Sequence, residues 1–134
     1  MKLKIPVLMR RLGLLAILTA IFWLSHQPSL KLIPPIFPFQ DKLLHAAEFF
    51  VLGAMLFLNR DLFHSRIRWL GTVLTGVMWA ALDEVHQSYI VGRDCSSGDF
   101  LADCAGLLTV LALLELYASK SGDSKRSARN TGPV

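Results

Sequence analysis

Three short polar runs interrupt an otherwise apolar chain, and their residue types belong to acid–base and ion-binding chemistry. The first is Asp41-Lys42 followed by His45 and Glu48. The second is Asp83-Glu84 with His86 and Gln87. The third begins at Gly92-Arg93 and continues through Ser96 to Asp99 and Asp103. His45 and His86 suit general acid–base work, with carboxylates to orient them. His45 and Asp83 head the catalytic candidates, followed by Glu84, His86 and Asp99. Lys42 and Arg93 suit an anionic group, and Arg matches phosphate bidentately. Asp41, Gln87, Ser96 and Asp103 complete the substrate-binding candidates. A second chemistry is open to the same runs: Asp83, Glu84, Asp99 and Asp103 offer oxygens to a hard cation such as Mg2+. No spacing matches HExxH, a P-loop, a cysteine zinc site or a GxSxG elbow. No cofactor or metal is therefore expected, with a divalent cation as the one alternative.

Helical periodicity is what must position these groups. Residues four apart share a helix face, so Asp41, His45 and Glu48 form one stripe. Asp83, His86 and Gln87 form a second, and Asp99, Asp103 and Gly106 a third. Glu84 points about 100° away from Asp83. The stripes open or close apolar segments at about 7–25, 42–58, 67–90 and 99–117. Each segment approaches the roughly 20 residues that a bilayer-spanning helix needs. Apolar residues make up 53% of the chain and the mean hydropathy is +0.46, high for a soluble domain. The expected fold is an all-α membrane bundle of four transmembrane helices over residues 1–119. A disordered basic tail is expected over 120–134.

The 14 Lys and Arg residues outnumber 10 Asp and Glu, a balance that suits nucleic acid, but their distribution argues for membrane orientation instead. Eleven lie in the N-terminal segment, in the 60–68 loop and in the C-terminal tail. Three, Lys31, Lys42 and Arg93, lie on the alternate side. Positive residues stay cytoplasmic, so both termini are expected inside, in a bacterial plasma membrane, and no nucleic-acid partner is expected. The three stripes then converge on the outer face, with His45 and Asp103 about one turn deep. The first segment also resembles a signal peptide, but no small-x-small site follows it, and an uncleaved helix is expected. Residues 28–40 hold Pro28, Pro34, Pro35 and Pro38, which predicts an extended outer loop. Asp41 is expected to cap the second helix and Gly92 to end the third in a left-handed conformation. Cys95 and Cys104 read as small apolar filler rather than a bridge.

Each polar residue has an ordinary structural alternative. Asp41, Ser96 and Asp99 serve as helix caps, and Lys42 as a snorkelling side chain. His45 with Glu48, and Asp83 with Arg93, serve as buried or loop-fixing pairs. Gly106 serves as a close helix-packing point. What separates the set from such a list is its convergence on one end of the bundle, where ionisable groups in a membrane segment mark a functional site.

At these residues the sequence resembles the VanZ-like family of small bacterial membrane proteins. The match runs through Asp41-Lys42-x-x-His45-x-x-x-Phe49 and Asp83-Glu84-x-His86-Gln87. It continues in Gly92-Arg93-x-x-Ser96-x-x-Asp99-x-x-x-Asp103-x-x-Gly106. Ser25-His26-Gln27-Pro28 resembles the family's segment after its first helix. Where the family usually has Asn, this chain has Asp103, which adds a negative charge. The resemblance implies a membrane protein connected with the cell envelope, in a family linked to resistance to the glycopeptide teicoplanin. It assigns no catalytic roles. Two functional classes therefore stand. One is a membrane-embedded enzyme acting on an anionic, lipid-linked envelope substrate. The other is a non-catalytic protein that binds or shields an envelope lipid or a partner membrane protein. A polar plug fixing the helix ends is the structural alternative to both.

Overall fold

A computed structural model describes residues 5–27, 36–93 and 95–130, with side chains as far as residue 121. Four helices follow one another: α1 (Val7–Ser25), α2 (Gln40–Leu58), α3 (Arg68–Gln87) and α4 (Ser97–Asn130). Two short 3-10 turns, Arg60–Leu62 and Ser65–Ile67, join α2 to α3. The all-α expectation and its four helices hold. Most of the proline-rich stretch, residues 28–35, lies outside the described residues.

The polarity of the bundle is inverted relative to a soluble domain. Leu12, Leu15, Phe22 and Trp23 of α1 face outward, as do Phe50, Leu74, Met78, Leu82, Leu108 and Leu116 of the other helices. Ser25, His45, Asn59, Thr72, Asp83, Glu84, Gln87, Asp99 and Asp103 are buried. Exposed large apolar surface and buried polar groups are the informative departures from ordinary burial. Two helical stretches, Val7–Ser25 and Ser97–Ser121, are long and apolar enough to cross a membrane, each with a mean hydropathy of 1.8. The other two helices fall short of that criterion, because the polar groups of the candidate site sit on them.

The apolar core is small: Ile21, Phe49, Leu52, Leu56, Ala80, Leu107 and Leu111. Its tightest element is the α2–α4 pair, which small residues bring together. A Cβ on Gly106 would stand 2.7 Å from the Ala46 carbonyl carbon and 2.9 Å from its Cα. One on Gly53 would stand 3.2 Å from the Leu107 carbonyl oxygen. Small residues let helix backbones approach where apolar burial alone gives little driving force.

Several helix ends differ from expectation. α2 starts one residue before Asp41, with Phe39 in the N-cap position at φ 65°. The Gln40 side chain closes this turn by accepting from the Ile36 amide at 2.8 Å. Asp41 therefore lies inside the first turn, where its charge favours the helix N-terminus. α3 ends at Gln87, before Gly92; the left-handed Gly92 (φ 85°) shapes the following loop instead. α4 continues through Asn130, across a segment expected to be disordered. No proline interrupts residues 120–130, and Ala, Lys and Arg there are good helix formers. Cys95 and Cys104 are both free.

The end of the bundle opposite the candidate site is tied by charge. Arg10 and Arg11 of α1 reach Asp61, just after α2, at 3.0 and 2.8 Å. Arg10 also donates to the Leu58 carbonyl, and Arg11 to Asn59 Oδ1 at 2.5 Å. Asn59, fully buried, donates in turn to the carbonyls of Arg10 and Met55 at 3.0 and 2.8 Å. Arg60 pairs with Glu115 of α4 at 2.9 Å. Desolvation pushes the Asp61 carboxyl up, but the Arg11 hydrogen bond, its own backbone amide and the two Arg charges outweigh it, so it stays below the ordinary carboxylate range. A lowered folded-state value contributes stability above the unfolded value, and that contribution is lost as pH falls through the folded one. Asp61→Asn is therefore expected to lower the melting temperature at pH 7 by a small amount and by less at an acid pH below the lowered folded-state value, where wild type loses the same tie. An equal loss at both pH values would show that the charge is not the tie.

Candidate functional site

Ser25 closes α1, His45 lies early in α2, Asp83 lies near the end of α3, and Asp103 lies early in α4. The up-and-down path of the helices brings these positions to one end. His45, Asp83 and Asp103 are buried, and one ligand-type atom from each lies within 4.8 Å of those from the other two. His45 Nδ1 stands 3.0 Å from Asp103 Oδ1. Asp103 is fully buried, and its Oδ2 has no hydrogen-bond partner among the described residues.

Asp83 faces α1 as well as the cluster. Its Oδ1 accepts from Ser25 Oγ at 2.5 Å and its Oδ2 from Gln87 Nε2 at 2.6 Å. Ser25 is a site residue that the reading of spacing missed, because a lone serine at a helix end carries no periodic signal. Its one trace is the Ser25-His26-Gln27-Pro28 resemblance. Glu84, rotated from Asp83 along α3, is also buried and accepts from the Ser96 amide at 2.8 Å, fixing the entry to α4. Ser96 thus takes part through its backbone rather than as a side-chain ligand. The nearby Cys95 thiol is pushed above its ordinary value, chiefly by its hydrogen bond to Glu84, with desolvation and the Glu84 charge adding.

Lys42 and Asp99 form the outer layer. Lys42 Nζ lies 2.7 Å from Asp99 Oδ1 and 3.2 Å from Asp41 Oδ2. Two carboxylates therefore already balance the cation expected to hold an anion. Asp99, paired with Lys42, is absent from the His45–Asp83–Asp103 group, so the cation set of Asp83, Glu84, Asp99 and Asp103 is not the one the fold assembles.

Arg93 does not pair with Asp83. Its Nη2 donates to the Leu24 carbonyl at 3.1 Å, its Nε to the Gln27 carbonyl at 3.2 Å and its Nη1 to Gln87 Oε1 at 3.5 Å. The guanidinium closes the C-terminal end of α1, where the last carbonyls and the helix dipole favour a cation. Nor does His45 pair with Glu48, which is half-buried one turn further along α2.

His86 lies apart from the buried group. It packs against the Phe22 ring at 4.6 Å between centroids and stacks on His26 at 5.5 Å, with ring nitrogens 3.4 Å apart. Three residues along a helix rotate a side chain by only about 60°, so His86 shares with Asp83 the side of α3 that faces α1. Between Phe22 of α1 and Trp79, Leu82, Asp83 and His86 of α3 lies a cleft of about 210 Å³. Asp83 therefore borders both the buried group and an apolar cleft.

An apolar exterior, a four-helix frame with two stretches long and apolar enough to cross a membrane, and a buried ionisable centre near one end define this small helical protein. Residues 9–118 match the VanZ/LLP1 family, and the chain belongs to it. No curated protein and no solved structure matches the chain.

Proposed function

We propose that this chain is a four-span integral membrane protein of the bacterial plasma membrane, with both termini cytoplasmic, and that it acts as an enzyme on an amphiphilic, anionic envelope substrate. The observation that carries this reading is the double position of Asp83. It belongs to the buried group with His45 and Asp103, and it lines the cleft between α1 and α3 with Phe22, Trp79 and Leu82. An acyl or prenyl chain suits that apolar cleft, while the headgroup reaches the ionisable centre. Asp103 orients the His45 ring, as a carboxylate does for a general acid–base histidine. The alternation of basic residues supports the orientation, with the site at the outer face. Lys42 and Arg93 then shape the site's rim, since their charges are engaged within the protein. The bilayer is the constant partner, and a lipid-linked envelope precursor is the substrate class.

The test uses purified protein in nanodiscs, incubated with lipid extracted from bacterial envelopes and followed by mass spectrometry. One anionic lipid species is expected to be converted by wild type and not by His45→Ala. A lipid retained unchanged would replace catalysis by binding or shielding. Absence of both conversion and retention would leave the cluster a structural plug.

A further inference from the structure

Charge balance at the centre of the bundle is the unexplained quantity. Asp83, Glu84 and Asp103 are 6%, 5% and 0% exposed. No Lys or Arg pairs with any of them among the described residues. The donors that Asp83 and Glu84 do have are neutral: a hydroxyl, an amide side chain, a backbone amide and the Cys95 thiol. His45 supplies at most one positive charge. Several uncompensated carboxylates in a poorly solvated interior are costly, and buried charges are normally paired or bound to metal. An anionic headgroup would also be repelled from such a centre.

We propose that His45, Asp83 and Asp103 bind one divalent first-row cation of the Mn2+ or Zn2+ class. Two independent observations converge on it. The three residues, from three helices, hold ligand-type atoms within 4.8 Å of one another. Ligands on one ion at about 2.0–2.2 Å stand at most about 4.4 Å apart, so small side-chain adjustments close the set. Separately, the buried Asp103 Oδ2 has no hydrogen-bond partner among the described residues. An imidazole with carboxylates selects for transition cations, whereas Mg2+ and Ca2+ prefer oxygen alone. The ion would offset the carboxylate charge and let an anionic group approach. In that respect the inference rests on the proposed function, but binding itself requires no turnover.

The experiment uses the full chain in mild detergent, stripped with chelator and then exposed to MnCl2 or ZnCl2. After gel filtration, retained metal is counted by elemental mass spectrometry, and bound Mn2+ is followed by electron paramagnetic resonance. One ion per chain is expected. Asp103→Asn keeps the side-chain shape and an acceptor for His45, so it is expected to stay folded by circular dichroism while losing affinity by more than about tenfold. Asp61→Asn, at the other end of the bundle, is expected to bind as wild type. Failure of wild type to retain either ion, or undiminished binding by folded Asp103→Asn, would overturn the site. Lipid conversion without retained metal would reject the metal alone. Retained metal without conversion would reject the enzymatic reading alone.

Discussion

Gly106→Val is expected to abolish the native bundle. The position has no room for even a Cβ, because the Ala46 carbonyl carbon and Cα lie within 3 Å of where it would stand. The obstacle is backbone, which cannot swing aside as a flexible side chain can. α2 and α4 must then separate or rotate, and either movement displaces His45 from Asp103. Overpacking a well-filled interior costs roughly 1–3 kcal/mol, and this site lies at the upper end, since two whole helices must move. Gly106→Ala is expected to retain more folded protein than valine, but less than wild type. Thermal unfolding in detergent, read by circular dichroism, checks the series. A valine variant melting as wild type does would show that α2 and α4 do not approach this closely.

The second large effect is expected at Asp83. Alanine there strands two buried donors, Ser25 Oγ and Gln87 Nε2. Each unsatisfied buried polar group costs about 1–3 kcal/mol, so the two together are expected to cost about 2–6 kcal/mol before local relaxation. The same change removes a carboxylate from the centre and from the cleft wall, so any lipid conversion should also vanish. A double-mutant cycle with Ser25→Ala separates the contact from general damage. The pair removed together should cost clearly less than the sum of the single losses. Strict additivity would show that Ser25 and Asp83 do not communicate.

The sequence made the helices legible because they are long and apolar. The reading of 7–25 coincides with α1, and α2 closes at Leu58 as expected. The convergence of the three polar runs on one end was also legible, since antiparallel helices alternate the ends at which they start. Pairing within that end was not. His45 lies equally well for Glu48 by periodicity, but α4 carries Asp103 against it. Arg93 suits Asp83 by charge, yet the loop geometry aims it at the Leu24 and Gln27 carbonyls. Backbone acceptors are present at every position, so sequence cannot single them out. The His26–His86 contact joins residues 60 positions apart, a separation that no local pattern encodes.

The closest helix pair, α2 with α4, also sets an order of assembly. Synthesis proceeds from the N-terminus, so α2 enters its surroundings before any of α4 has been made. Until then His45 has no Asp103, and the face opposite Ala46 has no Gly106. An early product ending after α3 carries a half-built centre whose polar groups lack their partners from α4. Completion of the bundle and completion of its chemistry therefore coincide, and a ribosome stalled before Asp103 releases a protein that has neither.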